Sequence, residues 1–301
     1  MDAAILPLSA ALLVEQVAAE SQSSTTTTSE ASAPAGLLAC MDTDFHLSLS
    51  LEAWMPRLAG EFTDGPTNVD VSTAKLHEAE ITFAATLNLR RDRLNVALRG
   101  FAFSTDGDAT ATTPFALGGI TVASGDAFAS SFSWWSAGME IAYDFYRPLE
   151  ERPTKWSEPV TGWTPPANAT DFSVFALVSA DVEGVSRRIS DSTSGLSTDA
   201  NEAFAALEFG IGFRLGFDTK ESFPLLRRIE IGAKAAAGVT VPFSDGDYGG
   251  AALVEAQIAA WINHSAAAYF GYRVVGGSLD GDELGLEGSM QGLRAGLAIA
   301  F

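Results

Sequence analysis

His46, Ser48 and Glu52 sit two and four positions apart, so a β-strand would carry all three on one face. A hydroxyl, an imidazole and a carboxylate within reach of one another can form a nucleophile relay, the chemistry of a hydrolase. Same-face neighbours on a strand are about 7 Å apart, however, too far for direct hydrogen bonds without bending of the side chains. His77 and His264 stand alone, one ahead of a polar-apolar alternation and one in a short turn. No Gly-rich phosphate loop, serine elbow or His-rich cluster stands out elsewhere. The expectation is a chain that is not an enzyme, with no cofactor and no metal site. His46, Ser48 and Glu52 are its weak catalytic candidates.

The other chemically capable residues are charges. The acids Glu52, Glu80, Glu140, Asp144, Asp181, Glu208, Glu230 and Glu255 and the bases Arg90, Arg99, Arg214, Lys234, Arg273 and Arg294 all fall on the polar side of alternating segments. Eight acids and six bases nearly cancel. Yet the chain of 301 residues holds 18 Lys+Arg and 38 Asp+Glu, a formal charge of −20. The surplus acids fall in turn-rich stretches, among them Asp64, Asp70, Asp106, Asp108, Asp126, Asp245, Asp247, Asp280, Asp282 and Glu283. Such loops are a place where divalent cations could bridge to anionic lipid. The runs at Asp245–Asp247 and Asp280–Glu283 nevertheless lack the twelve-residue calcium pattern and read as solvated turns. A chain this acidic, with a pI near 4.3, has no basic face for nucleic acid. Its single cysteine excludes a disulfide framework.

The elements that must carry these residues repeat with period two. Ala205, Leu207, Phe209, Ile211, Phe213 and Leu215 alternate with Glu208, Gly210, Gly212 and Arg214. The same pattern runs through Ile229–Val241, Ala252–Ile262, Ile81–Leu89 and Trp135–Phe145. Several segments reach 11 to 15 residues, whereas the usual strand has about 5–6 and a tilted membrane-spanning strand needs about 9–11. Mean hydropathy is +0.14, high for so acidic a chain. No run after the first residues approaches a membrane helix of about 18 apolar residues. The apolar side of each ribbon therefore faces either lipid or a second protein layer.

At the C-terminus Leu293, Ala295, Leu297, Ile299 and Phe301 are apolar at every second position. This resembles the closing strand of bacterial outer-membrane β-barrels, which ends in Phe. The resemblance is close over about ten residues and elsewhere architectural. It implies that this strand is the signal read by the barrel-assembly machinery, that outer-membrane lipid surrounds the chain, and that the cell outer membrane is its location.

The expected fold is all-β: a single closed antiparallel transmembrane barrel over residues 44–301, of about ten strands, with eight or twelve open. The strands are expected near 45–54, 79–90, 94–104, 131–145, 171–182, 203–217, 228–241, 251–263, 266–275 and 289–301, with a bulge at Gly100 where large residues change face. The segments 55–78, 105–130, 183–202, 242–250 and 276–288 are expected as outer loops. The Pro/Trp-rich segment 146–170 breaks the pattern of short inner turns. Residues 1–19 read as a signal peptide without a basic start, and 20–43 as a flexible Ser/Thr/Ala-rich linker. Cys40 has no hydrophobic run directly before it and reads as an inert thiol. Trp54, Trp134, Trp135, Tyr143, Phe145, Trp261, Tyr269, Phe270 and Tyr272 read as interfacial aromatic belts.

A charge on the lipid side costs about 2–4 kcal/mol at mid-bilayer, which turns the polar faces inward. Balanced charges imply ion pairs across a narrow or plugged lumen. The role this implies is structural, at the cell surface, or that of a narrow porin-like channel. The alternatives are a lipid- or peptide-hydrolysing barrel and a secreted soluble β-protein.

Overall fold

The computed structural model describes residues 45–64, 67–149, 169–219, 225–263, 265–281 and 284–301. The signal peptide and linker expected over 1–43, Cys40 and His264 lie outside the described residues. So does most of the Pro/Trp-rich segment. Ten long strands form the wall: β1 (Phe45–Asp64), β3 (Thr82–Arg91), β4 (Leu94–Thr110), β7 (Ala127–Tyr146), β8 (Ala169–Asp191), β9 (Ser197–Asp218), β10 (Arg228–Pro242), β11 (Gly249–Trp261), β12 (Ala266–Asp280) and β13 (Gly285–Ala300). Each pairs antiparallel with its neighbour, and β13 pairs with β1 from Ser48↔Ala300 to Thr63↔Gly285. The ring is closed, so no wall strand is left as a sheet edge through the bilayer. Short β2 (Thr67–Asp70) pairs with the far end of β1, and β5 (Phe115–Leu117) and β6 (Ile120–Val122) make a separate hairpin.

The outward side chains form an apolar belt. Leu51, Met55, Phe83, Leu87, Leu98, Trp135, Met139, Phe209, Ile211, Val254, Ile258, Phe270, Leu293 and Leu297 are all exposed. A soluble barrel would expose this much contiguous apolar surface to water; lipid tails are the medium that covers it without cost.

The strands run well past that belt. β8 has 23 residues, more than twice the roughly 9–11 that cross a bilayer. The expected outer loops at 55–78, 105–130, 183–202 and 276–288 are therefore corrected: much of each is strand, and 183–202 is a hairpin around the turn at 192–196. The reason lies in the alternation itself. Above Trp135 the outward residues of β7 are Ser133, Ser131, Ala129 and Ala127, and the inward ones are Trp134, Phe132, Ser130 and Phe128. The parity of the faces is unchanged, but the polarity inverts, because water replaces lipid outside and a packed core replaces the polar lumen inside.

The expected bulge at Gly100 is corrected for the same reason. Gly100 pairs without register shift with Ala85 and Ala137. Phe101 and Phe103 point inward like Arg99, into the apolar half of the interior. A register shift is found instead between Asp144 and Tyr146. β8, apolar on both faces in sequence, buries Phe175 and Leu177 inside against Ala142, Ala236 and Leu253.

The outer half of the barrel is filled. Trp54, Leu58, Phe62, Phe132, Phe204, Leu286 and Met290 of the wall are buried. They meet Val69 of β2, Val71, Ala74 and Leu76 of the following turn, and Phe115, Leu117, Ile120 and Val122 of the β5–β6 hairpin. Phe62 and Phe132 pack at 5.6 Å, and Trp54 stands edge-on to Phe101 at 5.3 Å. Burying side chains of this size stabilises by about 1.5–3 kcal/mol each. Polar bonds seat the inserted pieces: Ser130 Oγ donates to the Ala74 carbonyl, and the Gly118 N–H donates to Asp64 Oδ2 at 2.6 Å. Gly60 of β1 has φ +124°, where a Cβ would overlap the Glu287 carbonyl, so only glycine fits this crossing beside β13.

Trp54 and Trp134 are thus plug residues and not belt residues, which corrects the aromatic reading. Tyr269 and Trp261 also face the interior. Trp135, Tyr143, Phe145, Phe270 and Tyr272 face outward.

Candidate functional site: a charged lumen closed at one end

Below the plug the interior is polar, and every wall strand contributes a charge to it. One network gathers on β3, β4, β7, β8, β9 and β10. Arg99 reaches Asp181 at 2.8 Å, Glu140 at 3.2 Å and Glu208 at 3.4 Å. Lys234 spans from β10 to Glu140 at 2.7 Å, and Ser179 donates to Glu208 at 2.9 Å. Asp144 accepts from Arg90 at 3.0 Å and from Arg214 at 2.5 Å. The second network lies on β1, β11, β12 and β13. Glu52 holds Arg273 at 2.5 Å and Arg294 at 3.0 Å, and Tyr269 donates to it at 3.1 Å. Glu255 takes the same two arginines at 3.1 and 2.5 Å, and Gln257 accepts from Arg294 at 2.6 Å.

Small inner-face residues make room for these long side chains. A Cβ at Gly138 would overlap Asp181, one at Gly216 would overlap the Arg228 guanidinium, and one at Gly296 would overlap the Tyr269 ring. Pairing leaves few of the charges alone, which is the condition for placing them in a confined space.

Of the lumen charges expected from sequence, Glu52, Arg90, Arg99, Glu140, Asp144, Glu208, Arg214, Glu230, Lys234, Glu255, Arg273 and Arg294 face the interior and belong to these networks or their rim. Glu80 is a correction. It is exposed ahead of β3, which begins only at Thr82, so it never reaches the lumenal face. Leu293, Leu297, Ile299 and Phe301 are exposed on the outer face of β13 and beyond it, with Ala295 between them. His46, Ser48 and Glu52 line the same cavity, but Glu52 is committed to two arginines and a tyrosine. That leaves it a poor orienting acid for His46.

Sequence reasoning missed Tyr269, Arg228 and Asp171 as interior polar residues. It also missed Arg187, which is 2% exposed inside the plug with its guanidinium 5.6 Å from the Phe62 ring. No hydrogen-bond partner for Arg187 occurs among the described residues. Its signal was available: Arg187 continues the odd, inward face of β8 past the point where that strand was expected to end.

The networks bound a cavity of about 1210 Å³. It extends from them toward the end where β1 begins and β13 finishes, with His46, Asp92, Asn263 and Ala300 at the rim. The plug closes the other end. Among the described residues no group of three His, Cys, Asp or Glu is placed to hold a metal ion.

No protein-family model matches the chain, and comparison with curated proteins finds no match. Solved structures similar in fold include the outer membrane protease OmpT of Escherichia coli, at 9% identity and TM-score 0.42, covering 87% of this chain and 98% of that one. The transport unit of the autotransporter AIDA-I of E. coli follows at 10% and 0.39, covering 87% and 91%. The attachment invasion locus protein Ail of Yersinia pestis matches at 10% and 0.34, covering 86% and 100%. Values this low carry no role across. What this chain's own strands show is a closed, ten-stranded antiparallel β-barrel of the outer-membrane type.

Proposed function

We propose that the chain is a surface-exposed structural barrel of a bacterial outer membrane whose lumen does not conduct. One observation carries this reading: an apolar core, with Trp54, Phe62, Phe132 and Phe204 buried, crosses the outer half of the barrel. An open porin needs a water-filled path from end to end, and a packed apolar core in the outer half argues against one. The wall above the belt then serves as a rigid platform whose outward residues, such as Asp106, Asp108, Arg188 and Asp199, meet the medium. Surrounding lipid, passage through the barrel-assembly machinery and cation bridging at the acidic outer turns belong to the same proposal.

Purified full-length protein in planar bilayers tests it. The expected result is no discrete conductance steps across a range of voltages. Reproducible single-channel openings would replace this reading with that of a narrow channel. A hydrolase centred on His46 and Ser48 is not supported, because Glu52 is held by Arg273 and Arg294.

A further inference from the structure

The lumenal charges nearly balance, but they are not equally presented to the cavity. The Asp144 side chain is 1% exposed, while the side chains of the two arginines that hold it, Arg90 and Arg214, are 29% and 21% exposed. Arg99 is 21% exposed over Asp181 and Glu208 at 3% and 7%. The acid sits against the wall and the cation stands in front of it. The arrangement follows from chain length: an aspartate ends close to its backbone, and an arginine reaches over it.

At Asp144 the count is also uneven. One carboxylate serves two arginines that both line the cavity, and Arg90 Nε also donates to the Asp92 carbonyl at 3.4 Å. Arg214 is further fixed by the Phe175 ring, 4.9 Å from its guanidinium carbon, so it keeps its direction without needing its acid. Two oriented guanidinium groups in a confined site form a fork suited to oxygen anions.

We infer that the cavity is a binding site for an oxyanion, a phosphate or phosphodiester group, held between Arg90 and Arg214 over Asp144 and entering from the end that holds His46 and Asn263. The chain's overall −20 charge makes this local inversion a built feature of the lumen and not a reflection of composition. The inference does not depend on whether the barrel conducts. The same chemistry could be offered by a soluble phosphate compound or by the headgroup of a lipid at the adjacent membrane face.

Titration calorimetry of the folded full-length chain in neutral detergent, with tripolyphosphate as probe, tests it. The expected result is saturable binding near one equivalent that weakens as salt rises. Arg214→Gln and Arg90→Gln should each weaken it about tenfold, which is 1.4 kcal/mol. Arg214→Lys should recover part of the loss, and Arg188→Gln, on the outer wall, should change nothing. Sheet content by circular dichroism and heat-dependent gel migration show that each variant is folded. If Arg214→Gln does not fold, Arg90→Gln and Arg214→Lys carry the test. Repeating the titration in nanodiscs separates the sources. Loss of binding in phosphatidylglycerol discs relative to phosphatidylcholine discs assigns the site to a lipid headgroup, and equal binding in both assigns it to a soluble anion. No saturable binding to the wild type, or binding that both glutamine variants leave unchanged, overturns the inference.

Discussion

Arg99 of β4 and Asp181 of β8 meet at 2.8 Å across an intervening strand, directly over Gly138 of β7. All three share one register level: Arg99 pairs with Gly138, and Gly138 with Asp181. Two strand spacings separate the outer pair, about 9.6 Å of backbone, and only a bare inner face lets the side chains close that gap. Gly138→Ala places a methyl group where Asp181 Oδ1 lies. The expected cost is about 1–3 kcal/mol, as for other overpacked sites. It would appear as a lower unfolding temperature in detergent, with barrel closure intact. An unchanged temperature would mean the pair is not held this way.

Glu52 supports two buried arginines at once. Glu52→Gln leaves Arg273 and Arg294 sharing Glu255 alone. Breaking a buried pair from one side costs about 3–5 kcal/mol, and the retained Glu255 contacts place this variant at the lower end. Urea unfolding of the reconstituted barrel measures it. A loss below 1 kcal/mol would show that water satisfies these arginines.

Arg187 presents the opposite case. It is buried beside Phe62 and its strand partner Phe132, and the charge of Asp64 acts on it without a direct ion pair between them. Arg187→Met removes a desolvated cation and keeps the volume and the contact with Phe62. The expected change is a gain of about 1–4 kcal/mol, read as a rise in the detergent unfolding temperature. A fall would show that the guanidinium has an anion that stabilises the plug.

On the outer wall Arg188 and Asp199 form an exposed ion pair across β8 and β9. The hydrogen bond from Arg188 holds the Asp199 carboxyl below its ordinary range. A depressed carboxylate pKa contributes stability that is present above the unfolded value and fades as pH falls through the folded one. The contribution is small because water screens the pair. Carboxyl-labelled NMR should show Asp199 titrating below a free aspartate and returning to the ordinary range in Arg188→Gln. Identical titration in both proteins would remove the pair as the cause.

The ten wall strands and their inward faces were legible because lipid imposes one rule on each: apolar out, polar in, every second residue. Leu207, Phe209 and Ile211 against Glu208 and Arg214 follow that rule residue by residue. The rule failed above the belt. There Phe101, Phe103, Phe132 and Phe128 keep their parity while the media exchange places, so a strand looked like a loop and an unbroken register like a bulge. Glu80 was lost to a three-residue error in where β3 begins.

Alternation along the chain thus determined the long strands and which side of each is polar, since that pattern is local and depends only on the medium each face meets, while closure and the count of ten came from the pairing of β13 with β1. Only tertiary structure decided that the turn after β2 and the β5–β6 hairpin fold back into the mouth, that Glu52 serves Arg273 and Arg294 in place of His46, and that arginines stand in front of their acids. Those outcomes depend on distances across the lumen between residues up to 242 positions apart, such as Glu52 and Arg294. No short-range pattern encodes them.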